Sequence, residues 1–217
     1  MDPIRSFLKQ HPRGQSLVEF TILLPVLLMM LSGLIEFGFM LNSYLDLIDA
    51  AREAARFAAN DDPTVGLPTD PYVPPTQVNF WHRAFLNARS SLFTASDARI
   101  NWAPTSPTDC TSVKGDIVVS AFSILATNVD KRWPPGAMYA TGASNCGNYP
   151  SKLTIPQVEG ILSGASIPNS GFVAVEIYYE YKMMLGLPWI TAFVPDPIVL
   201  YAYTIMPNTY VEPTPTP

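Results

Sequence analysis

Apolar side chains fill the chain almost without interruption from Leu17 to Leu41, with Glu19 and Glu36 the acidic exceptions. At 1.5 Å per residue a helix of ~25 such residues crosses a hydrocarbon core of ~30 Å with some tilt. The run is too long for the apolar stretch of a cleaved secretory signal, about 7–15 residues. It also continues without a break into a segment of different periodicity. Leu41, Leu45, Ile48, Ala51, Ala55 and Ala58 recur three and four residues apart and predict one apolar stripe. Asn42, Asp46, Asp49, Glu53, Arg56 and Asn60 form the opposite, wet stripe. Glu53 and Arg56 are spaced to pair at i,i+3, for a few tenths of a kcal/mol. Asn60-Asp61-Asp62-Pro63 ends the pattern, because proline cannot continue a helix and disfavours helical geometry just before it. The expectation is one rod from Gln15 to Ala59, roughly 68 Å long. Its first half is bare and its second half needs a partner for one face. Pro25 is tolerated in a membrane helix as a kink.

The pattern beyond the rod is that of a small mixed domain. Asp62 to Pro75 is proline-rich and aperiodic, and reads as a loop. Val78 to Phe93 has helical spacing, with Val78, Trp81, Phe85, Leu86 and Leu92 on one broad face. Ala98–Ala103, Asp116–Thr127, Gly171–Met184 and Pro197–Met206 read as strands. The third alternates Phe172, Ala174, Glu176, Tyr178 and Glu180 against Val173, Val175, Ile177, Tyr179 and Tyr181, which predicts one buried and one more solvated face. The fourth alternates Ile198, Leu200, Ala202 and Thr204 against Val199, Tyr201 and Tyr203. Asp130–Pro150 reads as irregular loop, Met184–Pro197 as a proline-bearing connection and Ile155–Leu162 as a short helix. Glu212–Pro217 is an extended Pro/Thr tail with nothing to bury. The fold class expected is α+β: a long N-terminal membrane helix whose outer half packs on a small antiparallel sheet, with the second helix beside it.

Composition narrows the function classes. Of 217 residues 48% are apolar and only 14% charged, against ~25% charged in ordinary soluble domains. A formal net charge of −5 speaks against nucleic acid as a partner, since phosphate backbones need a basic face. Arg5, Lys9 and Arg13 precede the apolar run, with no acidic residue between Asp2 and Glu19. Cations stay on the cytoplasmic side, so the N-terminus is expected inside and the C-terminal domain outside. Cys110 and Cys146 both fall in the exported part. In an oxidising compartment one disulfide is expected, closing about 37 residues for about 3–4 kcal/mol in the chain-entropy model. Two unpaired buried thiols are the alternative.

Motifs of catalysis are missing. There is no G-x-S-x-G, Walker loop, H-E-x-x-H or C-x-x-C, and His11 and His82 are too few for a histidine-based triad. His82 reads as an ordinary, partly exposed side chain, because a metal site needs three or four convergent ligands. The pairs Asp61-Asp62 and Glu176/Glu180 are more simply a helix stop and a solvated strand face than acid–base machinery, and no EF-hand pattern supports calcium at Asp61, Asp62 and Asp70. Tyr178, Tyr179, Tyr181 and Trp189 suit either an interface or a core. No enzyme activity, metal or cofactor is expected. Glu36 is expected near the outer membrane interface. Glu19 lies inside the apolar run, where a carboxylate either reaches back to the cytoplasmic interface or has a function.

The stretch Arg13-Gly14-Gln15-Ser16-Leu17-Val18-Glu19-Phe20 ahead of an apolar run with Pro25 resembles the processing site of type IV prepilins. Glu36-Phe37-Gly38 and Ala51-Arg52-Glu53-Ala54-Ala55-Arg56-Phe57-Ala58 narrow the likeness to TadE-like pilins and pseudopilins of the Tad (Flp) branch, over roughly the first 60 residues. The resemblance implies a basic leader, residues 1–14, cut after Gly14 by a membrane-embedded prepilin peptidase. Gln15 becomes the new N-terminus, and Glu19 and Phe20 become the fifth and sixth residues, serving assembly or recognition. A transmembrane helix would then span 15–41, its exported half 42–60 and the exported domain 61–211, before the tail 212–217. The function implied is that of a minor pilin-like structural subunit in the cytoplasmic membrane or a pilus. Its partners would be membrane lipid, other pilin-like subunits and assembly-platform proteins. The amine at Gln15 and a carboxylate at Glu19 of a neighbour would attract strongly at low dielectric and set axial register. The competing reading is a single-pass extracytoplasmic binding or adhesion module with no pilus role.

Overall fold

The computed structural model describes residues 12–64, 80–94, 115–134, 143–144, 146–163 and 169–213. Helix α1, Pro12–Ala58, runs unbroken through Pro25, and Pro12 stands at its first turn, where a missing N–H costs nothing. Helix α2 is Phe80–Thr94 and strand β1 is Gly115–Leu125. Strand β2 (Asn128–Trp133), the two-residue β3 (Ala143–Ser144) and helix α3 (Ile155–Leu162) follow. Strand β4 (Ser170–Tyr181), the single turn α4 (Pro188–Thr191), strand β5 (Ile198–Pro207) and a 3-10 turn at Thr209–Val211 complete the order. The sheet is antiparallel, in the order β2-β1-β4-β5, with β3 paired to β1. The expected α+β design is therefore present: a long apolar helix, capable of crossing a membrane, and a small antiparallel sheet.

One core joins α1, α2 and one sheet face. Leu47, Ala50, Ala51, Ala54, Ala55 and Ala58 of α1 meet Phe80, Trp81, Ala84, Phe85, Ala88 and Leu92 of α2, over Ile117, Val119, Val173, Val175 and Ile177. The buried face of α1 is rotated from the expected stripe. Leu41 and Leu45 are exposed, and the seam instead runs through Ser43, Leu47 and the alanines. The alanines win because small side chains let α2 and the sheet approach the α1 backbone, whereas periodicity weighs every apolar residue alike. For the same reason Leu86 of α2 stays outside, while Ala84 and Ala88 go in. On the wet face the ion pair is Arg52 with Asp49 at 3.4 Å, and not the expected Glu53–Arg56.

Three further expectations are corrected. The second face of β4 is not solvated: Phe172, Ala174, Glu176 and Tyr178 lie beneath residues 146–162. The start of the presumed 130–150 loop is strand β2, turned back on β1 through Ala126 and Thr127, with Ala126 at φ +58°. Its sequence, Asn-Val-Asp-Lys-Arg-Trp, hides an edge strand because charges protect an edge and spoil alternation. His82 is buried, not partly exposed. The expected helix 155–162 is found at those bounds, begun by Thr154 and Gln157 as a capping box. The expected strand 98–103, the loop 65–75, Val78 and Cys110 lie outside the described residues.

The chain closes on itself at the far end of α1. Buried Asn208, just after β5, donates from Nδ2 to the carbonyls of Ala58 and Asp61, both at 2.9 Å, and so caps the helix C-terminus. Asp61 in turn accepts from Arg83 Nε of α2 at 2.9 Å. Gly171 sits below this knot. A side chain there would come within 2.2 Å of the Asn208 carbonyl oxygen, so only glycine fits.

Candidate assembly helix and its junction with the domain

The residues singled out at the start of the chain lie on one element. Gly14 and Gln15 fall in the first turn of α1, Glu19 one turn further on, and Phe20 beside it. From Ser16 to Leu31 every residue of α1 is exposed within the protein. Phe20, Ile22, Leu23, Leu34 and Met30 are each more than half exposed, a surface no soluble helix leaves in water. The peptide bond after Gly14 lies in a turn whose N–H groups have no helical acceptor, the part of a helix that opens most readily.

The domain takes hold of the rod at Glu36. This carboxylate is only 5% exposed, at the edge of the apolar run. It accepts from Tyr181 Oη at 2.6 Å, and from the backbone N–H groups of Met184 and Leu185, each at 2.8 Å. Three donors replace the water that a carboxylate loses on burial. The Tyr181 hydroxyl is pushed well above its usual range, first by burial and then by Glu36. One turn nearer the membrane end, Trp189 Nε1 donates to Ser32 Oγ at 3.3 Å. The domain thus grips α1 from Ser32 onward. Sequence reasoning singled out Glu36 but not its partners, because Tyr181, Met184 and Leu185 follow it by about 150 positions.

Two other buried carboxylates hold the sheet's second face. Asp116 Oδ1 accepts from the N–H of Ile117 (2.8 Å) and Cys146 (3.0 Å), and its Oδ2 from those of Asn148 (2.7 Å) and Tyr149 (3.0 Å). It pins the Cys146 segment to the start of β1, the task expected of a disulfide. Glu176, fully buried, accepts from Ser151 Oγ, from Lys152 N–H at 2.8 Å and from Tyr201 Oη at 2.8 Å. Tyr149 stacks on Tyr178 at 4.9 Å and donates to Glu180 at 2.9 Å. Burial, then Glu180, raises the Tyr149 hydroxyl to about 12. Glu176 and Glu180 are therefore each engaged by donors, and Lys152 lies over the Tyr201 ring at 4.1 Å. Among the described residues no group of three His, Cys, Asp or Glu side chains converges as a metal site would require.

The class defined is an α+β domain that grips an exposed, membrane-capable apolar helix at mid-length. Residues 14–56 match the family described as TadE-like protein, a match that begins at the proposed cut and ends two residues short of the end of α1. It links this segment to Tad pilus systems. No curated protein matches the chain, and no solved structure does.

Proposed function

We propose that the protein is a minor pilin-like or pseudopilin structural subunit of a Tad (Flp) pilus or secretion apparatus, without enzymatic activity. The prepilin peptidase cuts after Gly14. Gln15 becomes the mature N-terminus, and the chain stays in the cytoplasmic membrane with its domain outside until neighbouring subunits take up the helix. The observation that carries this reading is the bare rod Ser16–Leu31, headed by Gly14, Gln15, Glu19 and Phe20 at cut-and-assemble spacing. Glu19 answers the cationic Gln15 amine of a neighbour, since opposite charges attract strongly where water is excluded. In the exported domain a Cys110–Cys146 bridge reinforces the Asp116 pin, a reading supported by the lack of a free cysteine among the described residues.

Mass spectrometry of the chain from cells that contain the peptidase should find Gln15 first. Glu19→Val should still insert and be cut, yet lose co-purification with pilus components. An intact leader in such cells would favour the anchored adhesion module, and undiminished co-purification of the variant would remove Glu19 from assembly.

A further inference from the structure

The β4–β5 connection carries no charged side chain from Met183 to Pro195, although Lys182 and Asp196 stand at its two ends. Met183 N–H donates to Asp196 Oδ1 at 3.1 Å and closes its neck. Inside the loop, Ile190 and Val194 line an apolar crevice with Gly33, Phe37 and Met40 of α1. Met183 joins the core, but four large apolar side chains of the loop stay exposed: Met184, Leu185 and Trp189 at 40–55% and Phe193 at 89%.

The height of this loop along α1 identifies what covers it. A hydrocarbon core of ~30 Å takes about 20 helical residues. Counted from Leu17, these end at Glu36, the first buried residue of the rod. Trp189 reaches Ser32, one turn or ~6 Å to the membrane side of Glu36. The exposed apolar group therefore continues the bare surface of the rod at the level where acyl chains meet headgroups. Tryptophan, apolar in body and polar at its N–H, suits that level.

We propose that residues 183–195 form an interfacial anchor, seated in the headgroup–acyl boundary of the bilayer that α1 crosses. Met184, Leu185, Trp189 and Phe193 contact lipid there, so the domain rests on the membrane at a fixed tilt. The inference rests on α1 spanning a bilayer.

The full chain is reconstituted at low protein density in phosphatidylcholine–phosphatidylglycerol vesicles and recovered by flotation. With brominated acyl chains, the wild type should lose a part of its tryptophan emission, and that quenched component should vanish in Trp189→Phe. A nitroxide attached at Phe193→Cys should collide more with oxygen than with a water-soluble nickel chelate. The same label at Tyr210→Cys, near the Asn208 knot, should show the reverse. Equal quenching in wild type and Trp189→Phe, or a water-like label at position 193 in floated protein, would overturn the anchor alone. Spin–spin broadening at position 193 would show a second copy covering the loop and would overturn it too. Protein that fails to float would sink the membrane reading, and the anchor with it.

Discussion

Glu36 is the residue on which rod and domain depend jointly, because one carboxylate serves three donors that come from the end of β4 and the turn after it. Glu36→Ala leaves the buried Tyr181 hydroxyl and two part-buried N–H groups without their acceptor, a loss of about 3 kcal/mol at this junction, or about 100-fold faster exchange of the Met184 and Leu185 amides. Glu36→Gln keeps one acceptor oxygen and should fall between. Hydrogen exchange on the full chain in micelles measures this, and unchanged amides would show that apolar contact alone holds the loop. His82 offers a different lever. Burial, then the positive field of Arg89, lowers its pKa below the ordinary 6.5. The folded state thus binds fewer protons than the unfolded one between its depressed pKa and 6.5, and stability must fall as pH drops through that interval. His82→Gln should flatten the dependence of Tm on pH between 7.5 and 5. Parallel curves for the two proteins would mean that another group titrates there.

Between elements, the decisive feature is the close approach that alanine permits. Ala51, Ala54, Ala55 and Ala58 are completely buried against α2 and the sheet. Ala55→Leu should therefore destabilise the α+β domain by about 1–3 kcal/mol through overpacking, although leucine is at least as apolar. Thermal unfolding or protease resistance of the full chain would register it, and a neutral result would mean that the seam has unused space. The same seam shows what was legible in the sequence. The rod, helix α2 and strands β4 and β5 follow from periodicity, because their apolar residues repeat at 3.6 or 2, and β1 follows from its run of Val, Ile and Phe. Strand β2 and the covered face of β4 do not, because both depend on partners distant in sequence. Asp130, Lys131 and Arg132 spell a loop until β1 lies beside them. Glu176 spells a solvated face until Ser151, Lys152 and Tyr201 enclose it. The family likeness that begins at Gly14 could be read directly, since its residues are adjacent in sequence. The Glu36 junction and the Asp116 pin could not, because every donor to Glu36 and most donors to Asp116 come from another part of the chain.

For the whole molecule, the question is which way the rod would lie in a membrane, and the proposed function makes charge the determinant. Arg5, Lys9 and Arg13 stand on one side of the apolar run, while Asp46, Asp49, Arg52, Glu53 and Arg56 begin the charge beyond it. Cations near a membrane helix resist translocation, and acidic residues influence orientation little, so on the proposed reading the three leader cations would set the direction. Under the proposed processing, a cut after Gly14 would remove those three cations and Asp2 and leave the new amine as the cation at that end of the rod. On the proposed reading the leader would be needed for insertion but not afterwards, when the domain holds α1 from Ser32 outward. Replacing Arg5, Lys9 and Arg13 together with Gln should give a mixed population, part of it with the domain left in the cytoplasm and the leader uncut. Protease added to intact spheroplasts would digest the exported domain of the wild type fully and that of the variant in part. Equal digestion would show that the length and hydrophobicity of the rod orient it without help from the leader.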